Sequence, residues 1–317
     1  RLSLCPVDFF LNMDSVIEEA MNFVPFQGRM LGVEDGRFAH LLPLMLRKSR
    51  RYLETQWSIV KIQQYQTEIL THYLIDAISN VPAYRNLGIS ISKIRSEPWA
   101  CLKKFPLLDK FKIQASLENY VADDFVAEEC YRVVTSGSTG IPLTLLHDQM
   151  SYIENSACFY RILNDLSFEA GERVCRLYSD TTKENWGVTT LLFSGQMELA
   201  ALNLTHNDFE AARNDIKKLQ QFEPVGLSGN ASDLLKLCLL LREQKDKIKS
   251  VRFVLSAGEN LSVNMRSIIE DTLECSVRDI YSMQEANIVA WECEKGALHV
   301  NDDRVIVESI LNTELHQ

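Results

Sequence analysis

Glycine and proline are scarce in this chain, 13 and 8 among 317 residues. An average chain of this length carries about 22 glycines. Collagen-like and linker-rich organisations are therefore excluded, and any local glycine cluster needs a reason. Long apolar runs are also missing. The longest, 234–241, is broken by Lys236 and falls well short of the roughly 18 residues a membrane span needs. The N-terminal "RLSLCP" has neither the apolar core nor the cleavage site of a signal peptide. It does not begin with Met, so the expectation is a true start upstream. Positive charge is in deficit, with 33 Lys+Arg against 43 Asp+Glu and a formal charge of −10. Nucleic acid and anionic membrane are thereby disfavoured as partners, since both need a basic face. The basic run Arg47-Lys48-Ser49-Arg50-Arg51 reads as a solvated helix face. The eight cysteines form no C-x-x-C pair, which reads as reduced thiols in a cytoplasmic protein.

What is present is an ordinary globular composition, 46% apolar and 24% charged. Residues 45–80 are rich in helix formers at helical spacing, and "SNVPAYRN" ends that helix. Asn80 is the expected cap, and Pro82 cannot continue the turn. "FPLLDKFKIQAS" opens a shorter helix with Asp109 as its N-cap. From Val121 short apolar runs alternate with helices. Strands are expected at 131–134, 143–146, 173–178, 224–227, 251–255 and 276–281. Helices are expected near 151–163, 208–220, 232–242 and 262–273. This alternation predicts an α/β fold of mostly parallel sheets flanked by helices. A helical N-terminal segment, 1–120, is expected to pack on an α/β core, 121–317.

Three stretches can carry chemistry. "VVTSGSTGIPL" sets Gly137 and Gly140 among hydroxyl residues directly after an apolar run. Successive backbone N–H groups in such a turn can cradle an anion, and the glycines remove the Cβ atoms that would obstruct it. No Gly-Lys-Ser/Thr follows, so this is not a Walker A loop; an ordinary hairpin turn is the competing reading. "FVLSAGENLS" (253–262) ends a strand in a glycine turn, and Ser262 can cap the next helix. Ligands gather at the C-terminal ends of parallel strands, although a plain connection would look the same. "VRDIYSMQEANIVAWEC" (277–293) leads from a strand into a polar turn with one carboxylate, Glu285. Such a group is usually only solvated, but it can also hold the hard cation Mg²⁺.

Taken in order, "TSGSTGIPL", "SAGENLS", "DIYSMQEA" and "WECEKGALHVNDDRVIVE" resemble the signatures of adenylate-forming enzymes. The branch they resemble most is that of phenylacetate–coenzyme A ligases and their capsule-biosynthesis cousins. "SNVPAYRN" and "FPLLDK" are similar to that branch too, so the resemblance spans roughly 50–308. It implies ATP-dependent activation of a small carboxylic acid, aryl rather than long-chain, through an acyl-adenylate. Transfer to a thiol of coenzyme A or of a carrier protein would follow. Thr135, Ser136, Gly137, Ser138, Thr139 and Gly140 would wrap the β/γ-phosphates. Ser256, Ala257, Gly258 and Glu259 would line the adenine, Tyr281 would stack on it, and Glu285 would bind Mg²⁺. The family's Tyr-Gly-x-Thr-Glu stands here as Tyr281-Ser282-Met283-Gln284-Glu285. Gln284 thus replaces the Thr that bonds the α-phosphate, and Ser282 replaces a Gly. Ile141 stands where many relatives carry Lys.

"EPVGLSGNASDLLKL" resembles the segment beside the acyl pocket, with Gly229, Asn230 and Ser232 as its lining; Ser232 can equally be a helix cap. Trp186 and Phe193 are candidate pocket walls or core aromatics. Cys293 and His299, with Cys275 as a third, are candidate zinc ligands without a fourth. Two other activities share the motifs: an adenylyltransferase without a thioester step, and a nucleotide-binding module that has lost turnover. Family members continue past "VIVE" into an Asp for the ribose, a hinge and a small C-terminal lid with a catalytic Lys. The chain stops at Gln317 with none of these, so the expectation is a longer parent. Self-association, as in a homodimer, is expected through the face the lid would cover.

Overall fold

The computed structural model of the chain describes residues 58–125, 130–135, 143–169, 172–178, 186–191, 197–203 and 209–309. The basic run 47–51, residues 45–57 of the expected N-terminal helix, the loop 136–140 and Phe193 lie outside them. Contacts divide the chain into two units. Among the described residues one comprises Ile153–Met283 and Asn287–His299, the other 58–152, Gln284–Ala286 and 300–309.

The second unit opens with α1 (Ile59–Asn80). Ser58 caps it, its hydroxyl accepting from Lys61 N at 3.3 Å. Asn80 is the last helical residue rather than the cap; Val81, in an extended conformation, closes the helix. Pro82 then starts a single 3₁₀ turn, where its fixed φ is tolerated. Leu70 and Leu74, one turn apart, are buried with Ile94 and Cys101. Those two come from short helices that the periodicity did not announce, α2 (Ile91–Ser96) and α3 (Pro98–Leu102). Six and five residues are too few to show an apolar repeat. α4 (Lys110–Ala115) is capped by Asp109 as expected, the carboxylate accepting from Lys112 N at 2.9 Å. Gln66 of α1 donates to Asp302 O at 2.7 Å, tying the helix to the stretch after residue 300.

An antiparallel pair follows, β1 (Tyr131–Val134) and β2 (Thr144–His147). The helix α5 (Gln149–Asp165) leads on to the first unit. There one sheet of eight strands is built from β3 (Arg173–Tyr178), β4 (Trp186–Leu191), β5 (Met197–Asn203), β6 (Gly226–Gly229), β7 (Phe253–Ala257), β8 (Val277–Met283), β9 (Asn287–Glu292) and β10 (Leu298–Val300). Its order is β10-β9-β8-β7-β6-β3-β5-β4. The middle, β8-β7-β6-β3-β5, is parallel, whereas β9 and β4 run antiparallel to their neighbours. The expected α/β architecture is therefore present, with antiparallel edges that a pure βα alternation does not supply.

α6 (Phe209–Phe222), α7 (Ala231–Gln244) and α8 (Val263–Leu273) supply the helical side of the core. On α7 Leu234, Leu237, Cys238 and Leu241 recur at helical spacing. They bury against Cys175, Leu177, Leu227, Val254 and Val277, alternate residues of the strands. β6 must be thin where it passes β7: a Cβ on Gly226 would stand 2.2 Å from the buried Phe253 ring. Among the described residues no helix is long and apolar enough to cross a membrane.

Candidate functional site

The C-terminal end of β7 has a constrained local geometry. Ser256 is fully buried, and its hydroxyl has no hydrogen-bond partner among the described residues. Gly258 has φ +82°, a conformation that costs residues with a Cβ 1 kcal/mol or more, roughly. A Cβ there would also stand 2.8 Å from Asn230 Oδ1. The Asn230 side chain, from the end of β6, thus lies against Gly258 where a Cβ would stand.

Glu259 turns this approach into a bond. Its Oε2 accepts from Ser232 N at 2.9 Å. Ser232 is the second residue of α7; Asn230 is the cap residue but makes no side-chain capping bond. The expectation that the Ser232 side chain caps α7 is thereby corrected. A carboxylate from the next strand end satisfies a free N–H of the helix and sits where the macrodipole favours negative charge. Glu259→Ala should lower unfolding stability by about 1 kcal/mol, while Glu259→Gln, which keeps an acceptor, should lose less. An unchanged urea midpoint for Glu259→Ala would show that the bond contributes nothing.

Tyr281 lies near the end of β8, opposite Ala290, and is 53% exposed. It is not a core tyrosine. The ladder is irregular between Tyr281 and Ser282. Gln284 and Glu285 occupy the turn that joins β8 to β9, both exposed. Beneath this hairpin lies a cluster that the motifs did not announce. Arg266 of α8 donates to Val277 O and to Glu292 Oε2, each at 2.7 Å. Glu292, buried on β9, also accepts from Asp279 N at 2.9 Å. Burial, and next the charge of Glu292, hold the Asp279 carboxyl above its ordinary pKa.

At the phosphate-loop candidate, Thr135 forms the neck. Its N–H donates to Leu143 O, and its Oγ1 accepts from Leu143 N, both at 2.9 Å. Thr135 therefore closes the base of the loop, a role that the spacing of hydroxyls does not reveal. Ser136, Gly137, Ser138, Thr139 and Gly140 lie outside the described residues. Trp186 opens β4 opposite Leu202. Gly229 ends β6, where a Cβ would come within 3.0 Å of Leu177 O. Cys293 and His299 flank the β9–β10 turn. Cys293 O accepts from Arg278, and the His299 ring is 6.3 Å from that of Trp291. Burial pushes the Cys275 thiol up to about 11. Among the described residues no three His, Cys, Asp or Glu come together to hold a metal, so this trio does not form a zinc centre.

No family model and no curated protein matches the chain. Solved structures do. A 2-hydroxyisobutyryl-CoA ligase with 2-HIB-AMP and CoA in its thioesterification state aligns at TM-score 0.60 and 17% identity, over 75% of this chain and 53% of that one. An open conformation of that ligase with the same ligands aligns at 0.56 and 16%, over 73% of this chain and 56% of that one. The chain has the adenylate-forming ligase fold. It spans about half the length of the ligases it matches.

Three features stand together at the ends of β7 and β8. There is an orphaned buried hydroxyl at Ser256, a cradle at Gly258 that a Cβ would fill, and a free aromatic face at Tyr281. Glu285 offers the oxygen donor that a hard divalent cation prefers.

Proposed function

We propose that the chain is the nucleotide- and acid-binding part of a ligase that activates a carboxylic acid with ATP and hands the acyl group to a thiol such as coenzyme A. What carries this reading is the conjunction of four ordered motifs with a fold in which "SAGEN" and "DIYSMQE" begin on neighbouring parallel strands and run past their C-terminal ends. That edge is where ligands of open α/β sheets sit. An oxygen of the acid forms a bond to the α-phosphorus while the bond to pyrophosphate breaks. A thiolate sulfur then takes the acyl carbon, and AMP leaves with the bonding pair.

The residues have separate tasks. The backbone of Ser256, Ala257, Gly258 and Glu259 flanks the base, and Tyr281 stacks on it. Thr135 holds the neck of the loop whose members, Ser136 to Gly140 with Thr139 among them, donate to the β/γ-phosphates. Gln284 donates its amide to the α-phosphate, where relatives use a shorter hydroxyl. Ser282 lies beside it, at the irregularity of the β8–β9 ladder. Glu285 holds magnesium, which when bound neutralises charge on the phosphates. Fixed donors of this kind act where negative charge develops in the transition state. Gly229, Asn230 and Ser232 line the approach of the acid.

ATP–pyrophosphate exchange against a panel of carboxylic acids tests the reading. Exchange that depends on one class of acid supports it; nucleotide binding with no acid-dependent exchange supports a module without turnover, which the Gln284 and Ser282 replacements favour. Tyr281→Ala should weaken ATP binding by about 1 kcal/mol or more. Because the ring is exposed, the melting temperature should hardly move. Unchanged affinity by calorimetry would remove Tyr281 from the site.

A further inference from the structure

One residue of β3 remains unused by this reading. Arg176 lies mid-strand inside the eight-stranded sheet, with β5 on one side and β6 on the other. Such positions are normally apolar, and Val174 and Leu177 of the same strand are buried. Alternation along the strand puts Arg176 on the face opposite Cys175 and Leu177, away from the core formed with α6, α7 and α8. It is only partly exposed, and burial pulls its pKa below the ordinary arginine value. Tyr178, on the same face, offsets that only in part. Among the described residues no carboxylate pairs with its guanidinium. A desolvated cation without a counter-ion is costly to keep, so its retention points to an anion that arrives from outside.

Register sets Ala201 and Ser228 beside Arg176, with Gly187 beyond Ala201. All are small. Arg176 stands two residues before the C-terminal end of β3, level with the last turn of chain before Gly229 and Asn230. The guanidinium fork matches a carboxylate in two parallel bonds. The nucleotide base is assigned to the end of β7, two strands away and about 10 Å across the sheet, and the phosphates to the loop after β1. The acid is the partner left over.

We propose that Arg176 recognises a second anionic group on the acid, so that the preferred substrate is a dicarboxylate rather than a simple apolar acid. The proposal rests on the acid-activating reading, and its test separates the two. Calorimetry on the 317-residue chain compares succinate, glutarate and adipate with butyrate, valerate and hexanoate. At least one diacid should bind about 30-fold or more tighter than the monoacid of equal length. Arg176→Met should erase that advantage and leave monoacid binding unchanged. Arg176→Lys, which keeps charge but not the fork, should restore part of it. A purely structural arginine would instead shift all acids and the melting temperature together.

Equal binding of diacids and monoacids by the wild-type chain overturns the proposal without any variant. So does an Arg176→Met that weakens both classes alike, which would place the guanidinium on the reacting carboxylate. Weakened pyrophosphate binding in the same variant would assign Arg176 to the phosphates and equally overturn it. Diacid binding without acid-dependent exchange would remove the ligase reading and leave the anion site standing.

Discussion

Glu285→Gln should lower ATP–pyrophosphate exchange by about a thousandfold, or about 4 kcal/mol in the barrier, and leave the melting temperature where it was. The carboxylate is exposed in the turn after β8, so the core does not depend on it. The amide keeps the shape of the side chain but loses the charge that a hard divalent cation requires. The loss should be only partly recovered at high magnesium. Exchange at the wild-type rate would mean that another group carries the cation and that Glu285 is an ordinary turn residue.

Glu292→Ala should cost about 3 kcal/mol of stability, an effect on the fold rather than on the chemistry. One oxygen, Oε2, serves both Arg266 Nη2 and Asp279 N. Removing it leaves a partly buried guanidinium without its nearer carboxylate, since Glu270 stands farther off at 3.6 Å. It also leaves a strand N–H with no acceptor, a cost of its own. Glu292→Gln keeps an acceptor and should fall between. Urea unfolding measures both, and a loss under about 1 kcal/mol for the alanine variant would show that this cluster does not brace the β8–β9 hairpin.

Much of the fold could be read from local pattern, and the exceptions share a cause. β3 falls at 173–178 as expected from its short apolar run, and Asp109 and Ser262 cap α4 and α8 as their spacing suggests. β5 was not foreseen because "MELAALN" is made largely of helix formers. It is a strand because β3 and β4 pair with it on both sides, a tertiary override of propensity. β9 and β10 are short and follow a polar turn, so no period announces them. Within the site, glycines and hydroxyls mark the strand-end loops. Bonds that join distant residues leave no such mark: nothing in "SAGENLS" says that Glu259 will bond the N–H of Ser232, 27 residues earlier in the first turn of a helix. Arg176 was overlooked for a similar reason, since one cation in an apolar strand is conspicuous only when the described residues around it are seen to offer no carboxylate.

The Glu259–Ser232 bond also makes the strand-end loop observable. It closes a 27-residue segment on itself, so the Ser232 amide is shielded only while the loop at 256–259 stays in place. In native-state hydrogen exchange that single amide, exposed at its residue surface yet bonded, becomes a reporter of loop opening. Its exchange should occur through local fluctuation, well before the interior of α7 opens. A ligand that grips the loop would slow the Ser232 amide without touching it.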